Sequence, residues 1–284
     1  MLDQVIGLDH AVITVRDLDA AAAGWRALGF TLSPRGTHSA HMGTGNHTIM
    51  FGDDYLELLG VLADTDHNQP TRAFLARREG IERAAFTARD AAAGVAELHA
   101  RGIAATGPNA FGRPVTLPDG SLTEARFETF MWPVHERPGD MRLFACRHFT
   151  REAVWIPELC RHANGAIGIA CLELLAPDPQ AAAAHLGRLV DRTPERLPDG
   201  AWRVVSGAGR APFEYLSRAQ LAARHPGADL GGLADEGVAA LVLRVTDLAQ
   251  ARRALGTTPV AESAGALVVP AAHANGQLLV LVAG

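Results

Sequence analysis

The stretch GLDHAVITVRDLDAAAAGWRALGF, residues 7–30, decides the fold. Its first half alternates as a β-strand does, with Leu8, His10, Val12 and Thr14 on one face and Ala11, Ile13 and Val15 on the other. Its second half is an alanine-rich helix that Asp17 or Asp19 can cap and that Gly29 stops. Further strands follow in GTGNHTIMFGDDYLELLGV, near 47–52 and 54–60, with GDD at 52–54 as the hairpin corner. The order is strand, helix, then three strands.

That order returns three times. IERAAFTARD at 81–90 is a strand, AAAGVAELHARG a helix, and EARFETFMW and MRLFACRHF later strands. A third copy opens with AIGIACLELLAPDPQAAAAHLGRLV at 166–190 and closes with FEYLSR. The fourth runs from VAALVLRVTDLAQARRALG at 238–256 to GQLLVLVAG at the C-terminus. Segments 151–165 and 218–237, with Pro157, Pro226 and several glycines, read as linkers.

These repeats resemble the glyoxalase-like domain family of the vicinal oxygen chelate superfamily. LDHAVITVRDLDAAAAGWRALGFTLSPRGTH, GTGNHTIMFGDDYLELLGV, and LFACRHF followed by HANGAIGIACLEL carry the resemblance, which spans nearly the whole chain. It implies an α+β fold of four βαβββ units paired into two half-open barrels. The N-terminal barrel would cover 1–150 (units 7–60 and 81–150), and a linker 151–165. The C-terminal barrel would cover 166–284 (units 166–217 and 238–284). Pairing within one chain is favoured because four units are present; exchange between two chains, as a homodimer, is the alternative.

The resemblance further implies a divalent metal held by side chains from the first and last strands of each unit. In unit one these are His10 and Glu57. Matching Arg16-Asp17 to Arg89-Asp90 puts Arg83 of unit two where His10 sits, and His148 is taken as the last-strand position. Two imidazoles and a carboxylate suit iron, zinc, nickel or manganese, and Glu57 could also serve as general base. Arg83 cannot coordinate a metal, so it would bind an anionic substrate, or pair with Glu57 in a site without metal. Both readings stand open. His38, His41 and His47 flank the GTGNHT turn, and His47, with Arg35 beside Pro34 and Gly36, completes the substrate-binding set. Equivalent places in the second barrel fall to Cys171, Glu214, Ala240 and Leu279 or Leu281, which make no metal site and give that barrel a structural role.

The function implied is a metal-dependent lyase, isomerase or dioxygenase acting on a small oxygen-rich metabolite. The alternative is a metal-free protein that sequesters a small molecule between Phe51, Tyr55, Phe144 and Trp132. Trp155 and His162 are assigned to packing between the barrels. Net charge is −5 and the 26 basic residues form no stripe, which argues against nucleic acid. No apolar run approaches the ~18 residues of a membrane span, and MLDQVIGLDHAVITV lacks the marks of a signal peptide. Three cysteines without CxxC spacing suit a reducing cytoplasm. His135-Glu136 is followed by Gly139 where a zinc-protease helix needs histidine, and no Walker or GxSxG motif occurs.

Overall fold

The structure is a computed structural model that describes residues 2–117, 120–263 and 265–284. Its first half runs β1 (Val5–Val15), α1 (Leu18–Ala27), β2 (Gly36–Thr37), β3 (Thr44–Met50), β4 (Tyr55–Val61), α2 (Gln69–Leu75), β5 (Gly80–Ala88), α3 (Ala91–Ala100), β6 (Thr106–Thr116), β7 (Leu122–Met131) and β8 (Arg142–His148). The second half runs β9 (Ala166–Leu175), α4 (Pro179–Val190), β10 (Glu195–Arg196), β11 (Trp202–Val204), β12 (Phe213–Leu216), α5 (Arg218–Arg224), β13 (Gly237–Val245), α6 (Leu248–Ala254), β14 (Ala261–Ser263), β15 (Ala266–Val269) and β16 (Leu278–Ala283). Helices α2 and α5 depart from the sequence reading; α5 lies in a segment expected as linker and starts with a capping box between Ser217 and Gln220.

Each half forms one eight-stranded sheet, in the order β2-β3-β4-β1-β5-β8-β7-β6 and β10-β11-β12-β9-β13-β16-β15-β14. Four βαβββ units thus pair two by two within the chain, the first strands of each pair lying antiparallel at the centre. One physical device marks all four units. The aspartate that ends each first strand turns its carboxylate onto backbone N–H groups of the next helix: Asp17, Asp90, Asp178 and Asp247 cap α1, α3, α4 and α6.

One face of each sheet carries the helices, and these faces meet in a single core that includes Ile13, Leu58, Phe86, Trp132, Leu172, Phe213 and Leu243. The opposite faces curl into two clefts, with Met50, Tyr55, Phe127 and Cys146 in the first and Leu175, Ala240, Val242 and Val280 in the second. Val280, not the core residues Leu279 and Leu281, therefore faces the second cleft. Phe51 and Trp132, expected as cleft walls, also belong to the shared core.

The central strands are bulged. Pairing shifts between Leu8 and His10 on β1, and on β5 between Arg83 and Ile81, leaving Asp9 and Glu82 as the extra residues. The bulge moves Leu8 to the core face while His10, Val12 and Thr14 keep the cleft face, so the strict alternation read from the sequence breaks at Asp9. Backbone N–H groups beside these irregularities find partners in the opposite barrel: Leu8 on Ser206 Oγ (3.0 Å), Ile81 on Gln277 Oε1 (3.2 Å) and Ile169 on the Asp54 carboxylate (3.1 Å). The barrels approach so closely that a Cβ at Gly207 would overlap the Ile6 carbonyl oxygen.

Two outcomes follow. Asp178→Ala removes only a cap and is expected to cost about 1 kcal/mol in urea unfolding, with Asp178→Asn nearly neutral. Burial raises the Asp54 carboxyl to about 6, against the Ile169 N–H, Arg244 and Arg210, which lower it. The native state then binds more protons than the unfolded chain between about pH 4 and 6, so stability should fall as pH rises through that window, by on the order of 2–3 kcal/mol. Asp54→Asn should remove that slope from a series of denaturant titrations, and an unchanged slope would assign it to another group.

Candidate functional site

The first cleft is built on β1, β4, β5 and β8. The register sets Tyr55 beside His10 and Glu57 beside Val12, and across the pseudo-twofold axis Arg142 beside Arg83 and Phe144 beside Ala85. Arg83 thus matches His10, Arg142 matches Tyr55, and Phe144, not His148, matches Glu57.

At the bulge, Asp9 is wholly buried and takes three hydrogen bonds, from Thr87 Oγ1 (2.8 Å), His10 Nδ1 (2.7 Å) and His148 Nε2 (3.1 Å). Burial alone would raise its pKa; the two histidines beside it more than reverse that and hold the carboxyl well below the usual carboxylate range. As an ionised acceptor, Asp9 takes the Nδ1–H of His10 and so fixes the orientation of the ring. Nε2 of His10 then faces Glu57 Oε2, 3.8 Å away, with the Tyr55 ring stacked on the imidazole at 4.1 Å. The Tyr55 hydroxyl lies 3.5 Å from the same nitrogen, and burial keeps it protonated.

A second imidazole reaches Glu57 from the loop after β2. His38 Nδ1 bonds to Thr44 Oγ1 (2.8 Å), and its Nε2 stands 3.9 Å from Glu57 Oε1. The Asn46 amide donates to the same oxygen at 2.7 Å. Burial raises the Glu57 pKa, but His38, His10, Asn46 and Arg83 outweigh it, and the net shift is downward. Glu57 is therefore a carboxylate with two imidazole nitrogens turned towards it and, among the described residues, no guanidinium within 4 Å.

The other expected residues lie elsewhere. His148 is held against Asp9, its Nδ1 buried without a partner, and its ring lies 5.0 Å from Trp155. His47 faces away from the cleft: on β3 it is Asn46 and Thr48 that share the Glu57 face, and His47 Nδ1 meets the Ser33 carbonyl (2.8 Å). Arg35 pairs with Asp19 at 3.2 Å on the surface. Arg83 turns to Glu82, not Glu57. Trp155, assigned to packing between barrels, instead lies over the first cleft, because the 3₁₀ turns Arg151–Ala153 and Pro157–Cys160 cross it from β7 to β3; its ring meets Tyr55 and His148. Burial pushes the Cys146 thiol far up, so it offers no thiolate nucleophile.

Residues 8–190 match the glyoxalase-like domain. The chain belongs to the glyoxalase-like domain family. Among solved structures, a hypothetical protein from Staphylococcus aureus aligns over 98% of this chain and 99% of its own, with a TM-score of 0.68 at 10% identity. A mutant of 4-hydroxymandelate synthase from Streptomyces coelicolor aligns over 99% and 94%, with a TM-score of 0.58 at 13% identity. Methylmalonyl-CoA epimerase from Mycobacterium tuberculosis covers 54% of this chain and 96% of its own, at a TM-score of 0.40 and 20% identity. No curated protein matches. The first two likenesses show that the chain shares the vicinal oxygen chelate fold.

The second cleft of this glyoxalase-like protein supplies an internal comparison. Cys171 stands where His10 does and Glu214 where Glu57 does. Ligand atoms of Cys171, Glu173 and Glu214 lie within 4.8 Å of one another; the sequence reading named Cys171 and Glu214 as making no metal site and missed Glu173, which completes the group. Arg224 Nη1 is wedged between the two carboxylates at 2.8 and 2.6 Å, with His225 on Glu173 and Arg203 on Glu214.

Asp9→Ala is expected to cost about 3 kcal/mol or more in urea unfolding, since it strands two imidazoles and a hydroxyl in the interior. Arg35→Ala, which loses only an exposed pair, should stay within about 0.5 kcal/mol of the parent.

Proposed function

We propose that this protein is a divalent-metal-dependent enzyme acting on a small oxygen-rich molecule, with His10 Nε2, His38 Nε2 and the Glu57 carboxylate as the metal's ligands. The observation that carries it is the facing of Glu57 by two imidazole nitrogens whose far nitrogens are already held, one by Asp9 and one by Thr44. Pinning of the distal nitrogen is how a protein orients histidine ligands. At 3.8 and 3.9 Å from the carboxylate, the two nitrogens stand at separations that an ion about 2 Å from each ligand atom can span. In the second barrel the corresponding glutamate is paired with the Arg224 guanidinium; among the described residues no guanidinium pairs with Glu57.

Two histidines and one carboxylate form the facial set typical of iron(II) oxygenases, and they equally serve zinc, nickel or manganese in isomerases and lyases. Such an ion would bind vicinal substrate oxygens and polarise a carbonyl. The chain's own residues do the remainder. Asp9 orients His10, and Tyr55, protonated and beside His10, is placed to donate to a substrate oxygen. Tyr55, Phe144 and Trp155 exclude water at the deep end. Oxygen chemistry is the better-supported class, by the donor set and by the fold shared with 4-hydroxymandelate synthase. The aromatic wall also suits the second reading, sequestration of a small molecule without metal.

Elemental analysis of untagged protein, before and after loading with iron(II), manganese, nickel and zinc, decides between them. Near one equivalent is expected, with affinity weakened at least about tenfold by His10→Ala, His38→Ala or Glu57→Gln, and by Asp9→Asn through orientation. His148→Ala should retain the metal. Protein that stays metal-free throughout would leave sequestration as the function. Oxygen uptake against solvent proton exchange on the loaded protein then separates oxygenase from isomerase.

A further inference from the structure

Across the pseudo-twofold axis from the imidazoles, the cleft changes character. Glu82, the bulge residue of β5, is fully buried and ionised: burial raises its pKa, and Arg83 and Arg142 overcome that to leave it near 2. One carboxylate therefore serves two guanidiniums. Arg83 donates through Nε to Glu82 (2.9 Å) and through Nη2 to Thr71 Oγ1 (3.1 Å), which leaves its Nη1 edge without a protein partner. Arg142 also bonds Glu82 and Thr71. Burial and the charge of Arg83 together lower the Arg142 pKa, and Glu82 does not fully restore it.

A third guanidinium comes from β6. Arg113 pairs across the ladder with Ala125, and its neighbour Phe111 with Phe127; Ala125 and Phe127 line the first cleft, so Arg113 stands on the cleft face. It is half-buried and forms no ion pair or hydrogen bond with any described residue. The charges of Arg113 and Arg83 both bear on His38, so the two flank the mouth beside the imidazoles. A partly desolvated guanidinium without a counter-charge is costly, and the planar fork matches carboxylate and phosphate oxygens.

We propose that the Arg83, Arg142 and Arg113 side of the first cleft is a subsite for an anionic group, carboxylate or phosphate, on the molecule this protein binds. Arg83 Nη1 and Arg113 supply the contacts, while Arg142 adds charge and is itself held by Glu82. The proposal deepens the reading of this cleft as a small-molecule site and does not depend on the metal. Its substrate class is then an anionic oxygenated metabolite, with its chelating oxygens at His10, His38 and Glu57 and its acid group towards β5 and β6.

Calorimetric titration of EDTA-treated protein with malonate, with its neutral diamide and with inorganic phosphate tests it. Saturable binding of malonate or phosphate with Kd of about 1 mM or tighter is expected, and none of the diamide. Whichever anion binds more tightly names the group. Arg113→Met, which breaks no pair in the protein and should fold normally, is expected to weaken binding at least tenfold, as is Arg83→Met; Arg35→Met should not. Absence of saturable anion binding, or binding that Arg113→Met leaves unchanged, would overturn the subsite. Glu57→Gln separates the two readings: it should abolish metal uptake while leaving malonate binding to the metal-free protein in place.

Discussion

A fully buried carboxylate must have its charge met, and in this fold Asp9 is where that requirement shapes the first barrel. The bulge that puts Asp9 at the sheet centre also moves Leu8 into the core and turns His10 into the cleft. Thr87 from β5 and His148 from β8 converge on the same carboxylate, so one acid ties the two units of the barrel together and orients the His10 imidazole. The matching bulge on β5 repeats the arrangement with Glu82, whose charge is met by guanidiniums instead. In the second barrel the extra residues are Ala170 and Ala239, so no charge enters at the bulges themselves, and the charges of that cleft, Glu173 and Glu214, are met by Arg224, Arg203 and His225.

Comparison of Glu57 with Glu214 gives the chemistry its direction. Both occupy the same place beside the first strand of their unit, with little contact with water. The chain supplies a covalently tethered cation to one, through Arg224 on α5, and leaves the other facing imidazole nitrogens. Arg224 satisfies two glutamates at once, and its pKa rises accordingly even against burial. A tethered guanidinium makes a permanent structural link; a carboxylate faced by imidazoles is the arrangement on which the proposed metal site rests.

How much of this was legible depends on the period of the signal. The strand-helix-strands order repeats over whole units, and four aspartates at matching places cap four helices, so the fold could be read from patterns of apolar and capping residues. Arg83 could be placed because the ends of its strand and of the His10 strand are marked by Asp90 and Asp17, whereas His10 and Glu57 themselves came from the resemblance to the family. A bulge leaves no such mark. Asp9 reads as one more polar residue in a strand, although the whole site depends on it. Parity fails in the same way for His47 and Asn46: adjacent positions on β3 face opposite sides, and only the start of the strand, which Gly43 and Gly45 obscure, tells which one meets Glu57. His38 arrives through a loop whose path follows from tertiary contact with Thr44, which spacing does not encode.

The role of the linker's side chains was hidden for a related reason. Residues 151–160 hold proline and polar residues, as linkers do, yet Ala153, Val154 and Ile156 are buried, and Trp155 is covered on one side by Arg151 at 3.5 Å and on the other by Tyr55 and His148. A half-open sheet exposes its concave face unless something lies across it, and the chain between the two barrels is the segment with the length and position to do so. The connection thus serves as a wall of the site. It shuts the end where Asp9 and His148 lie, and leaves the approach to Glu57 to the side where His38 and the guanidiniums stand. The barrel's two halves are then asymmetric in charge as well as sequence: carboxylates order imidazoles in one, and arginines outnumber the acid in the other. That asymmetry is what the proposed ligand, with paired oxygens at one end and negative charge at the other, would match.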